Sequence, residues 1–143
     1  MRALGKHLLL DLHGSNPELL KKVEVVKDIM VSAAQVCKAT VLDVAFHEFK
    51  PFGVSGVVVI AESHLSIHTW PEYQYAAVDI FTCGAAVRPE EAAEHIAARL
   101  ECKNLSIFEM KRGVIMGRRG RLPHKMLERR PPADAPEEVS VLT

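Results

Sequence analysis

Between residues 54 and 82 the chain passes through three short β-type segments with very little between them. Residues 54–62 (VSGVVVIAE) are a β-branched run. Residues 64–69 and 74–82 follow, joined by a turn around Pro71-Glu72. A parallel crossover needs a dozen or more residues, so connections this short predict antiparallel neighbours. Residues 39–49 (ATVLDVAFHEF) add a strand that Pro51 and Gly53 bring to a stop. Residues 6–12 (KHLLLDL), ended by His13-Gly14, read as a buried strand, and residues 104–112 (NLSIFEMKR) as the last strand of the sheet. The run 54–62 is expected to lie at the centre.

Two helices punctuate this β-rich chain. Asn16-Pro17-Glu18 supplies a cap, a proline at the first helical position and an acid in the first turn. Leu19, Leu20, Val23, Val26, Ile29, Met30, Ala33 and Ala34 then recur at helical spacing, predicting one amphipathic helix over residues 17–36. Arg88-Pro89-Glu90-Glu91 opens a second, to about Leu100, with Ala92, Ala93, Ile96, Ala97 and Leu100 as its apolar stripe. The order β-α-β-β-β-β-α-β predicts an α+β fold: a two-layer α/β sandwich, mainly antiparallel, with helices on one face. One domain over residues 1–116 is expected. Residues 117–130 are basic and 131–143 Pro-rich and acidic, and together read as a mobile tail.

The 18 basic and 18 acidic residues cancel, so bulk charge recruits neither nucleic acid nor an anionic membrane. The apolar runs are too short to span a bilayer, and MRALGKHLLLDLHG lacks a signal-peptide pattern. A cytoplasmic protein is expected. Three cysteines, Cys37, Cys83 and Cys102, form no pair motif, which argues against a disulfide framework or a zinc ribbon.

The chemistry concentrates in ESHLSIHTWPEYQYAAVDIFTCG, residues 62–84. Ser63 follows Glu62 at a strand end. A hydroxyl held there can attack the carbonyl on its own N-terminal side and convert the amide to an ester. Elimination across Cα–Cβ then leaves a dehydroalanine, which hydrolyses to a pyruvoyl group. The other reading of Ser63 is a strand-end hydroxyl bonded to backbone. His64, Ser66 and His68 share one strand face, with Leu65 and Ile67 on the other. The two histidines are too far apart on a strand for easy joint metal ligation, and no third ligand is evident, so no metal is expected. Either imidazole can carry a proton. Asp79, Phe81 and Cys83 alternate along the next strand, placing a thiol at its end, just before Gly84. Trp70 and Glu72 flank a turn and can seal a core edge or hold a flat ligand. Phe49 and Phe52 are further aromatic candidates, and Ser55 follows them in PFGVSG.

This stretch, with HEFKPFGVSGVVVIAESH leading into it, resembles the bacterial and archaeal S-adenosylmethionine decarboxylase proenzymes over roughly residues 5–112. The resemblance implies self-cleavage between Glu62 and Ser63 into a β chain (1–62) and an α chain (63–143) that stay associated and dimerise as (αβ)2. It implies a pyruvoyl cofactor made from Ser63, with no pyridoxal phosphate. This group would form a Schiff base with S-adenosyl-L-methionine and release CO2, giving S-adenosylmethioninamine, the aminopropyl donor for spermidine biosynthesis. It assigns proton handling during processing to His68, proton donation in catalysis to Cys83 and support of processing to Ser55. Phe49, Trp70 and Glu72 would contact substrate. Phe52 departs from a position where many members carry a polar residue. Two other readings stay open: a pyruvoyl-dependent arginine decarboxylase of the same fold, and a non-catalytic α+β binding module. A metal-binding domain using His64, His68 and Cys83 is a third.

Overall fold

The computed structural model describes residues 3–115. The proposed tail (117–143) and the outer limits of the 1–116 domain lie outside them. Six strands form one antiparallel sheet: β1 (Ala3–His13), β2 (Val41–Glu48), β3 (Val54–Ile60), β4 (Ser63–Trp70), β5 (Tyr75–Cys83) and β6 (Asn104–Val114). Their spatial order is β2-β3-β4-β5-β1-β6. Helices α1 (Pro17–Leu20), α2 (Val23–Val36) and α3 (Pro89–Arg99) complete the fold. Helix α2 packs on β2, β3 and β4, and α3 on β5 and β1, all on one face. The expected α+β sandwich is what the chain adopts.

Alternation along each strand sends one set of residues into the core and the other to the open face. Leu8, Leu10 and Leu12 of β1, Leu65 and Ile67 of β4, and Val78 and Ile80 of β5 meet Ile29, Met30, Ala33 and Ile96 of the helices. Full burial of such a side chain stabilises by about 1.5–3 kcal/mol.

Four expectations are corrected. The helix over 17–36 is broken: Lys22 is extended (φ −97°, ψ 110°), and α2 starts afresh at Val23. The cause is the Leu20 carbonyl, which accepts the buried Thr69 hydroxyl at 2.9 Å. The capping signals do hold, since Asn16 Oδ1 accepts the Glu18 N–H at 3.0 Å. Strand β3 is second from an edge, and β4 and β5 occupy the centre. Strand β1 is buried on one face only, leaving His7, Leu9, Asp11 and His13 on the other. Glu62 belongs to no strand. It takes a left-handed backbone (φ +71°) in the tight turn between β3 and β4, and Ser63 opens β4.

Candidate active site

No element among the described residues covers the open face of the sheet. His64, Ser66, His68 and Trp70 of β4 stand there beside Asp79, Phe81 and Cys83 of β5 and Ser55 of β3. The functional residues expected from sequence fall into two groups at opposite ends of this face.

The first group is built by a turn and by register. With His64 opposite Phe81, antiparallel pairing brings Ser63 and Cys83 together although twenty positions separate them. The Ser63 hydroxyl donates to the Glu62 carbonyl at 2.5 Å, and its Oγ lies 3.4 Å from Cys83 Sγ. Glu62, with its positive φ, holds a conformation that disfavours residues other than glycine. Gly5 of β1 keeps this end clear. A Cβ there would sit 3.0 Å from Cys83 Sγ and 2.6 Å from the Phe81 ring. The hydroxyl, the carbonyl it would attack and a thiol therefore occupy one partly open corner, which suits a small ketone made in place from Ser63.

The second group lies at the other end of β4. His68 is opposite Ser55, and its Nδ1 is 2.7 Å from the Ser55 hydroxyl. Both line a shallow cavity of about 360 Å³ with His47, Val57 and Ser66. Trp70 stacks on Tyr75 with ring centres 5.4 Å apart, and its centre is 6.4 Å from that of His68. Phe49 follows β2, exposed, with its N–H donating to Gly53 at 2.7 Å. His47 meets its ring edge-on at 4.6 Å. Phe52 lies beside Lys21, whose ammonium sits 5.7 Å from the ring centre. Glu72 is exposed in the 3-10 turn Pro71–Tyr73.

Five strand positions separate Ser63 from His68, a span of about 16 Å at the usual rise. The two groups do not meet within one chain. His64 is the imidazole nearest Ser63 in sequence. Burial pushes its pKa down, helped by neighbouring His7 and Arg112 and opposed by Asp79, so it is neutral at physiological pH.

Sequence reasoning missed a polar network on the open face. His7 Nε2 meets Asp79 Oδ1 at 3.2 Å, and Asp79 Oδ2 accepts the Ser66 hydroxyl at 3.2 Å. Arg112 lies 3.3 Å from His7 Nδ1. At the far end Tyr75 donates to Asp11, which pushes the phenol up to about 12. The signal was the alternation of His7, Leu9, Asp11 and His13 through an apolar run. Among the described residues no cluster of three or more His, Cys, Asp or Glu is placed to hold a metal ion. No helix among them is long and apolar enough to cross a membrane.

Residues 6–113 match the S-adenosylmethionine decarboxylase family. A protein of Thermodesulfovibrio yellowstonii named S-adenosylmethionine decarboxylase proenzyme is 61% identical over 126 residues, spanning 88% of this chain and 93% of its own. One of the same name from Thermoanaerobacter sp. (strain X514) is 53% identical over 114 residues, spanning 80% of this chain and 92% of its own. The crystal structure of the adenosylmethionine decarboxylase from Aquifex aeolicus VF5 superposes with a TM-score of 0.77 at 32% identity, covering 84% of this chain and 99% of that one. The chain belongs to the S-adenosylmethionine decarboxylase family.

Proposed function

We propose that this chain is a proenzyme that cleaves itself between Glu62 and Ser63 and then decarboxylates S-adenosyl-L-methionine to S-adenosylmethioninamine, the aminopropyl donor for spermidine. The observation that carries this reading is the hydrogen bond of 2.5 Å from the Ser63 hydroxyl to the carbonyl oxygen of a Glu62 held at positive φ, which keeps Oγ beside the carbonyl group it would attack. Attack forms an Oγ–C bond and breaks the peptide C–N bond, and the hydroxyl proton passes to the freed amine. Loss of the Ser63 Cα proton then breaks Oγ–Cβ, releasing residues 1–62 with a carboxylate on Glu62. The dehydroalanine left behind takes up water and loses ammonia, giving the pyruvoyl group. Release of the strained turn favours the forward direction.

When formed, the pyruvoyl ketone supplies the acceptor for the substrate amine and for the electrons freed as CO2 departs, in place of pyridoxal phosphate. This chain's residues bind, orient and move protons. Cys83, beside Ser63, delivers a proton to the substrate carbon. The partner subunit's Phe49, Trp70 and Glu72, brought over the Ser63 end by the pairing described next, hold the adenosyl part and its sulfonium, with ring–cation contacts of about 0.5–2 kcal/mol. The family match supports S-adenosylmethionine over arginine as substrate.

His68 serves processing from a second copy. On neighbouring strands β1 and β6 the open face displays Leu9, Phe108 and Met110, an apolar surface suited to a like surface. Two copies related by a twofold axis, face to face, set the Ser63 end of one over the His68 end of the other. Co-expression tests this. His68→Ala alone stays one chain, and so does Ser63→Ala. Made together, mixed dimers pair an intact Ser63 with the intact His68 of the partner subunit, and part of the His68→Ala chain is cleaved. No cleavage in the mixture, with mixed dimers shown by mass, contradicts the shared site and points to His64 of the same chain.

A further inference from the structure

Arg112 stands on the edge strand β6, two strands away from Cys83, with Gly5 of β1 between them in register. Because Gly5 has no side chain, the Arg112 side chain can cross it. Its guanidinium carbon lies 4.7 Å from the centre of the Phe81 ring. The same guanidinium reaches His7 Nδ1 at 3.3 Å. Arginine only donates, so Nδ1 accepts and the His7 ring proton sits on Nε2, where it bonds Asp79 Oδ1 at 3.2 Å. Asp79 in turn accepts from Ser66. Arg112 thus anchors a chain of donors and acceptors running from β6 to β4.

Phe81 is enclosed on several sides. His7 and His64 approach it at 5.5 and 5.9 Å, and Arg112 covers one face. Its edge and the Cys83 sulfur both lie within 3.0 Å of the point that a Gly5 Cβ would occupy. Ring and thiol therefore share one small space, and movement of the ring opens room for the thiol to swing.

We propose that Arg112 is a positioning residue: acting across Gly5, it holds the Phe81 ring and thereby fixes the direction of the Cys83 thiol. The contact with the ring is a cation–π interaction, and that with His7 fixes which of its nitrogens carries the proton. The value of this inference for turnover rests on Cys83 being the proton donor; the geometry it describes does not.

The test reads the thiol directly. In the uncleaved Ser63→Ala chain, the alkylation rate of Cys83 by iodoacetamide is followed by peptide mass. Arg112→Met and Phe81→Leu each free the thiol and speed alkylation several-fold, and combining them adds little beyond either. Arg112→Lys restores most of the slow rate, and Lys111→Met, which removes a neighbouring charge on the same strand, leaves it unchanged. An Arg112→Met rate equal to or slower than the parent overturns the proposal, as do fully additive effects of Arg112→Met and Phe81→Leu. In processed protein Arg112→Met lowers kcat for S-adenosylmethionine while cleavage is complete. If Cys83→Ala keeps full turnover, the catalytic assignment of Cys83 fails, and the alkylation rates still judge the role of Arg112.

Discussion

One sheet has two faces that work differently. The covered face is an apolar layer, with Leu8, Leu10, Leu65, Ile67 and Ile80 sealed under α2 and α3, while its β6 edge, at Leu105 and Ile107, is left exposed. The open face carries His68 and Cys83, together with the polar network and exposed Leu9, Phe108 and Met110, while Ser63, in step with Leu65 and Ile67, stands at the rim where β4 begins. The same alternation makes both. Stability belongs to one set of positions and chemistry to the next residue along. Substitutions on the two faces should therefore separate cleanly.

The largest contrast lies within two neighbouring residues of β1. Leu10 is 2% exposed and Leu9 37%. In dilute solution, Leu10→Ala should cost about 2–5 kcal/mol of unfolding free energy in denaturant melts. Leu9→Ala should cost about 1 kcal/mol or less, since much of it already faces water. Equal costs would break the division. A smaller effect sharpens it. Thr69 is buried on the covered side, accepts the Val54 N–H and donates to Leu20, both at 2.9 Å. Thr69→Val keeps the shape and strands both groups, for a loss of about 1–3 kcal/mol with no change in Cys83 reactivity.

The smallest effect is a pH slope on the helical layer. His95 of α3 meets the Ser32 hydroxyl of α2 at 2.7 Å, and burial, aided by Arg99, holds its pKa below the usual 6.5. The unfolded chain binds this proton more readily than the folded one. The stabilising contribution is therefore complete above pH 6.5 and falls as the pH drops below it. His95→Gln should flatten the decline in melting temperature on acidification from pH 6.5. His64 adds a slope of the same sign from the open face, so a residual slope is expected in that variant.

Much of this was legible in the sequence. The strands followed from alternation, and the start of α1 from Asn16-Pro17-Glu18. What escaped was long-range. The break after Leu20 depends on a hydroxyl forty-nine residues later. The polar side of β1 was hidden because its leucines make it look apolar throughout. The site was legible as a set of residues but not as an arrangement. His68 is five residues from Ser63, and the extended chain carries it out of reach. Cys83, twenty residues away, returns to hydrogen-bonding distance because β4 and β5 are antiparallel.

All of the proposed chemistry starts with one peptide bond. The most direct measurement is the mass, under denaturing conditions, of the freshly purified wild-type chain. The account expects two species, residues 1–62 ending in a free carboxylate and residues 63–143 beginning with a ketone that reacts with hydrazine. A folded wild-type protein that stays a single species with the full encoded mass, unreactive toward hydrazine, would contradict it.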